Sequence, residues 1–260
     1  MTTTLNATTG PVTRIAKSDA SSITIAGHDL CQDLMGKRSF TEMIYFFATG
    51  RFPDIAEQTV LDGCLVSLME HGWTLTSIIT RLTAASVPDE SQAALAAGLL
   101  SVGPKYAGTM EGCAALLLDA AASDQPVEEW AAATAADHLD NGKPLPGFGH
   151  RVHKPVDPRA QRLLEIAREQ NIDGPHLRRL LALEAAVEKH RGRPLPVNAT
   201  GLIGALFLEI DIPLSASRAL ATVSRAGGLV SHLVEEERDP MAQTIWKLVR
   251  ENIPYSGEEL

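Results

Sequence analysis

The run Gly147-Phe148-Gly149-His150-Arg151 places a histidine just after two glycines. Glycines let the backbone turn sharply and let a ligand come close. An imidazole held there can give or take a proton near neutral pH. Shortly beyond it, Asp157-Pro158-Arg159 has the form of a helix start, with an N-cap aspartate and proline at the first helical position. Arg159 then falls in the first turn, where guanidinium, backbone N–H groups and helix dipole can share one carboxylate. The plain alternative for His150 is a solvated surface histidine, the usual fate of a lone loop imidazole.

The elements that must hold these residues read as helices. Ser39 and Glu42 have capping-box spacing, and Gly50 and Pro53 punctuate the end of that helix. Asp54 and Glu57 repeat the start signal, and Leu61, Cys64, Leu65, Leu68 and Met69 recur at helical spacing. Gln92–Leu100 and Gly112–Ala122 are Ala/Leu-rich helical runs, and Pro126 before Glu128 and Glu129 opens another. Asp239-Pro240 repeats the Asp157-Pro158 pattern. Ser22–Ala26 is the one short β-branched alternation. The breaks at Asn141–Pro155 and Arg191–Val197 are rich in Pro, Gly and positive charge. In an otherwise acidic chain, two basic loops suggest a local anion site.

Bulk properties exclude several classes. The 260 residues suffice for one large or two modest domains. With 23 Lys plus Arg against 32 Asp plus Glu, the net charge is −9, which argues against nonspecific nucleic-acid binding. No apolar run approaches the ~18 residues of a membrane span, and Met1–Ser22 lacks the apolar core of a secretory signal. Cys31, Cys64 and Cys113 show no metal-ligand spacing and read as small core residues in a reducing, cytoplasmic setting. His28, His138, His153, His176, His190 and His232 show no paired ligand spacing, and no metal is expected. Glu235-Glu236-Glu237 reads as a solvated face.

The run from Gly147 to Ala160, GFGHRVHKPVDPRA, resembles the citrate synthase family pattern GxGHxVxxxxDPR. Ala26–Pro53 is similar to the family's opening segment, so the likeness covers about Ile23 to Arg238. In size and wording the chain is closest to the short citryl-CoA lyase modules, including the one at the C-terminus of ATP-citrate lyase. Leu99–Ala114 is similar to that module's helix junction.

The resemblance implies an all-α fold with a large and a small domain, a cleft between them, and a homodimer. The expected division is a polar tail over 1–22, a large domain over 23–107 and 214–260, and a small domain over 108–213. It implies a polycarboxylate bound beside an acyl-CoA, with coenzyme A entering as part of the substrate. The reaction makes or breaks the carbon–carbon bond between acetyl-CoA and oxaloacetate. His150 falls on the family histidine that polarises the oxaloacetate carbonyl. Arg159 and Arg225 fall on carboxylate-binding arginines, His71 of Glu70-His71-Gly72 on a ligand-binding histidine, and Lys154 on a position that meets coenzyme A phosphates. Arg238 matches an arginine donated across the dimer. Left to their own signals, His71 could cap a helix C-terminus and Arg225 could bridge Glu235–Glu237.

Two positions depart from the family. Tyr106, in Gly103-Pro104-Lys105-Tyr106-Ala107-Gly108, stands where the first catalytic histidine is expected; the lyase modules lack that histidine too. Thr200, in Asn198-Ala199-Thr200-Gly201, stands where the family has its catalytic aspartate. A threonine hydroxyl has no comparable basicity. Three readings follow: a citrate synthase or citryl-CoA lyase-like enzyme, a carboxylate-binding pseudoenzyme that senses or scaffolds, or a changed reaction on the same scaffold. Glu111 is the nearest alternative carboxylate in sequence.

Overall fold

The computed structural model describes residues 12–149 and 156–257, with backbone alone at 104–107. The chain divides into two units, Met1–Asp54 and Ile55–Leu260.

In the first unit, β1 (Ala16–Ser18), β2 (Ile23–Ile25) and β3 (His28–Asp29) form an antiparallel sheet in chain order. Ala26 and Gly27 both take positive φ, the conformation a two-residue hairpin turn requires. The Asp29 carboxylate accepts the amides of Cys31 and Gln32 at 2.9 and 2.8 Å and starts one wide π-type turn, Leu30–Leu34. That turn leaves Cys31 exposed, correcting its reading as a core residue. α1 (Phe40–Thr49) has the expected capping box between Ser39 and Glu42 and ends on left-handed Gly50. Its Phe46 stacks on Phe52 at 4.5 Å, and His28 meets both rings edge-on.

The second unit is helical: α2 (Ile55–Met69), α3 (Leu75–Ser86), α4 (Ser91–Leu100), α5 (Pro104–Ala121), α6 (Val127–Asp140), α7 (Pro158–Glu169), α8 (Pro175–Arg191), α9 (Ala199–Glu209), α10 (Leu214–Arg238) and α11 (Ala242–Asn252). α9 is apolar nearly all round, so it can only sit inside; α2, α5, α7, α8 and α10 pack on it. Gly204 lets α5 approach, since a Cβ there would lie 2.8 Å from Met110 O. Cys64 and Cys113 are fully buried, as expected; burial pushes both thiols up, that of Cys113 to about 12.

The corner from α10 to α11 departs from its sequence signal. Asp239 ends α10 rather than capping the next helix. Glu236 takes that duty, accepting the amides of Met241 and Ala242 at 3.0 and 2.9 Å, so α11 starts later than Asp239-Pro240 implies. Glu236 also receives Arg81 Nε at 2.5 Å, and Arg81 Nη1 reaches Glu235 at 2.6 Å. Arg81 is 1% exposed and Glu236 6%, so the middle member of the acidic run turns inward, while Glu235 and Glu237 stay exposed as a solvated face would have them. Burial works against the charge on Glu236, but Arg81 and the two amides outweigh it and hold the carboxyl below its usual range.

Candidate active site

The two loops read as a basic anion site meet at the start of α9. Asn198 N donates to Gly147 O at 2.9 Å, Gly149 N to Pro196 O at 2.8 Å, and Asn198 Nδ2 to Gly149 O at 2.7 Å. Phe148 and Val197 form a short antiparallel bridge. Gly147 and Gly149 both take positive φ. A Cβ on Gly147 would lie 2.6 Å from Gly201 Cα, so this crossing demands glycine. Gly149, the residue before His150, is thereby pinned to Pro196 and Asn198 at the N-terminus of α9. His150 itself and Lys154 lie outside the described residues, and of Tyr106 only its place in the first turn of α5 is described.

Asp157 ties this crossing to the arginine. Its carboxylate, 1% exposed, accepts the Arg159 amide at 3.1 Å, capping α7. It also accepts the Ala199 amide at 3.1 Å, capping α9 as well. Arg159 Nε and Nη2 close on the same carboxylate at 3.1 and 2.9 Å. Burial alone would raise this carboxyl; the Arg159 guanidinium and the Ala199 amide overcome that and hold it at about 2. Arg159 is oriented by a fixed negative charge between two helix N-termini. The role of Asp157 was legible in sequence as the N-cap of α7 only, because the second capped helix lies far along the chain.

Arg225 lies mid-way along α10, largely buried. Its charge feels two neighbours: Glu70, whose Oε2 stands 3.6 Å from Nη1, and Arg159. Burial first, and then the Arg159 charge, draw the Arg225 guanidinium below its usual range. At 3.6 Å the Glu70 contact is too long for a hydrogen bond, and buried Nη1 has no hydrogen-bond partner among the described residues. Arg225 does not bridge Glu235–Glu237; Arg81 occupies Glu235 and Glu236 instead. His71 follows α2 on an exposed turn whose amides, His71 N and Gly72 N, both donate to Glu70 Oε1 at 2.7 Å. Glu70 thus joins the His71 turn to Arg225. Sequence reasoning named the His71 motif and passed over this carboxylate.

Thr200, in the first turn of α9, donates to Asn198 Oδ1 at 2.7 Å and lies 2.9 Å from Thr109 Oγ1. With its proton on Asn198, it accepts the proton of Thr109, and the three side chains form a linear relay of hydrogen bonds from Thr109 through Thr200 to Asn198. Glu111, on the same helix as Thr109, is ion-paired with Arg218 of α10. Arg238 is exposed at the last turn of α10, beside the Arg81–Glu236 knot. Among the described residues no three His, Cys, Asp or Glu side chains are grouped to hold a metal ion.

A mostly helical chain whose two Pro/Gly-rich loops meet at a central buried helix has the citrate synthase-like fold. The family model for the citrate synthase C-terminal domain matches residues 53–250, and the chain belongs to the citrate synthase family. The structure of citryl-CoA lyase from Hydrogenobacter thermophilus superposes with a TM-score of 0.86 at 27% identity, covering 96% of this chain and 95% of that one. Citrate synthase from Thermoplasma acidophilum, in ternary complex with carboxymethyl coenzyme A and oxaloacetate, superposes at 0.67 with 25% identity, covering 85% and 58%. The citrate synthase of Haloferax volcanii is 28% identical over 218 residues, 82% of this chain and 54% of that one. The chain spans about half the length of the curated citrate synthases it matches.

Proposed function

We propose that this chain binds a citrate-like polycarboxylate beside an acyl-CoA and acts on the bond that joins acetyl-CoA to oxaloacetate, in the manner of citryl-CoA lyase or citrate synthase. The observation that carries this reading is the unsatisfied Arg225 Nη1, buried within range of the Arg159 charge and beside the His71 turn. A buried guanidinium N–H without a hydrogen-bond partner among the described residues, with a second arginine charge acting on it, favours an anionic ligand such as a carboxylate. In cleavage, the citryl hydroxyl loses its proton as the oxaloacetate carbonyl forms. The electrons of the broken carbon–carbon bond pass to the acetyl methylene, which then takes a proton. His150 serves at the hydroxyl; His71, Arg159 and Arg225 hold the carboxylates, and Lys154 meets the coenzyme A phosphates.

Arg225→Ala is expected to weaken citrate or oxaloacetate by about 1.5–3 kcal/mol, the usual worth of a hydrogen bond to a charged group. Isothermal titration measures this, paired with a coupled assay for citryl-CoA cleavage on the native chain. Unchanged affinity for both anions would remove Arg225 from the site.

One observation favours a second reading, a carboxylate-binding pseudoenzyme. Thr200 offers a hydroxyl already engaged at both ends, and Glu111 is paired with Arg218. Ligand binding without turnover in the same experiments would select it. We also propose a cytoplasmic homodimer, with the smaller domain over 108–213 and Arg238 completing the partner's site. No helix among the described residues is long and apolar enough to cross a membrane. Light scattering at micromolar concentration is expected to give twice the chain mass; a stable monomer would overturn the dimer.

A further inference from the structure

Glu70 stands at the join of three parts of the site. One carboxylate oxygen accepts both amides of the His71 turn at 2.7 Å. The other faces α10, where His232 Nε2 lies at 3.2 Å and Arg225 Nη1 at 3.6 Å. Gly228 admits this approach: a Cβ there would lie 3.0 Å from Glu70 Oε2 and would collide with the Met69 carbonyl. His232 lies one heptad beyond Arg225, on the same stripe of α10. Its side chain is 9% exposed, and neither ring nitrogen makes an aligned hydrogen bond among the described residues. The Trp73 ring, at 6.0 Å, covers it from the segment after the His71 turn. Two polar side chains of α10 thus converge on one carboxylate that belongs to the loop opposite.

From this geometry we infer that Glu70 is a positioning residue, which sets the His71 turn and the Arg225 guanidinium in register for a carboxylate ligand, with the His232 ring packed close against its carboxylate. It touches no ligand itself. The inference rests on the carboxylate-binding reading above and deepens it. Glu70 acts in two separable ways. Its oxygen Oε1 organises the turn through two neutral amides, and its charge faces Arg225. Charge alone would compete with an incoming anion, whereas the ordered turn favours it. Ordering of a ligand-bearing turn is the larger effect, because small displacements of binding groups cost affinity steeply.

The two parts separate by substitution. Glu70→Gln keeps an acceptor for both amides and loses the charge; Glu70→Ala loses both. Citrate and oxaloacetate are titrated into native protein, each variant, Arg225→Ala, and the double variant Glu70→Ala/Arg225→Ala. Glu70→Gln is expected to stay within about threefold of native affinity, and Glu70→Ala to fall by about tenfold or more. In the Arg225→Ala background the Glu70→Ala effect shrinks, because the two act through one another. Hydrogen exchange of the His71 and Gly72 amides, read without ligand, is expected to speed up in Glu70→Ala and to stay near native in Glu70→Gln. Native affinity in Glu70→Ala, equal weakening in both Glu70 variants, or unchanged amide exchange in Glu70→Ala each overturns the positioning role. Failure of the native protein to bind either anion overturns the carboxylate reading first, and the positioning role with it.

Discussion

Asp157→Ala is expected to lower stability by about 3–5 kcal/mol, because it strips partners from a buried ion pair. The carboxylate receives Arg159 Nε and Nη2 and the first amides of two helices, all within 3.1 Å. Alanine leaves the Ala199 amide, in a fully buried residue, without its acceptor. It also removes the carboxylate that faces the Arg159 guanidinium, whose charge bears on Arg225. Asp157→Asn keeps acceptor oxygen for one cap but loses the charge that orients Arg159, and is expected to fall between native and alanine. The comparison is read from urea midpoints and from citrate affinity in the same samples. A loss under about 1 kcal/mol in the alanine variant would show that water replaces the carboxylate at little cost.

The same residue gives a pH signature with a definite sign. Its carboxyl is held at about 2 in the folded chain against 3.8 unfolded. A depressed folded value contributes stability above the unfolded value, lost as pH falls through the folded one. Native protein is therefore expected to lose about 2 kcal/mol from this group between about pH 4 and pH 2. Asp157→Asn lacks that component, so the two stability profiles converge toward pH 2. Parallel profiles would show that the carboxylate is not held by Arg159 in solution.

What sequence could show depended on how local each cause was. The Ser39–Glu42 capping box, the Gly50 stop and the Asp157 cap of α7 are fixed by residues within a turn of one another, and each is where sequence placed it. The Glu236 knot was missed because its cause is distant: Arg81 meets Glu236 from 155 positions away, and charge runs carry no sign of which member turns inward. The same interaction displaced the start of α11. Cys31 was misread because a single wide turn, not a helix, decides its face. At the site, the resemblance supplied Arg159, Arg225 and Thr200 one by one. It could not supply Glu70 or the docking of residues 147–149 on 196–198. These are contacts between segments, made by one carboxylate and by backbone groups that any sequence carries.

The largest effect on rate is expected at Thr200. As folded, its hydroxyl donates to Asn198 Oδ1 and accepts from Thr109, so no basic atom is offered where the family has a carboxylate. Enolisation of acetyl-CoA, and its reverse after citryl-CoA cleavage, require proton transfer at the methyl carbon. The native chain is therefore expected to be slow in both. Thr200→Asp restores a carboxylate in the first turn of α9, where the helix N-terminus keeps it ionised. Thr109 is placed to donate to it. Asn198 is not: its Oδ1 already accepts the Gly201 amide, and a second acceptor beside it is repelled. The new carboxylate must turn toward Thr109, and its basicity is reduced by that bond. A positioned general base contributes about 10²–10⁴-fold, so a gain near the lower end is expected. It is measured as deuterium uptake by the acetyl-CoA methyl group. Thr200→Asp with Tyr106→His should exceed the single change, because the histidine supplies a partner for the enol oxygen. Thr109→Ala in the Thr200→Asp background separates orientation from basicity. It raises the rate if the threonine bond mainly weakens the base, and lowers it if that bond mainly aims the carboxylate. If the native chain cleaves citryl-CoA rapidly and Thr200→Asp slows it, the missing-base account fails. Proton transfer then runs through another group, and Glu111, released from Arg218 on ligand binding, becomes the residue to replace by glutamine.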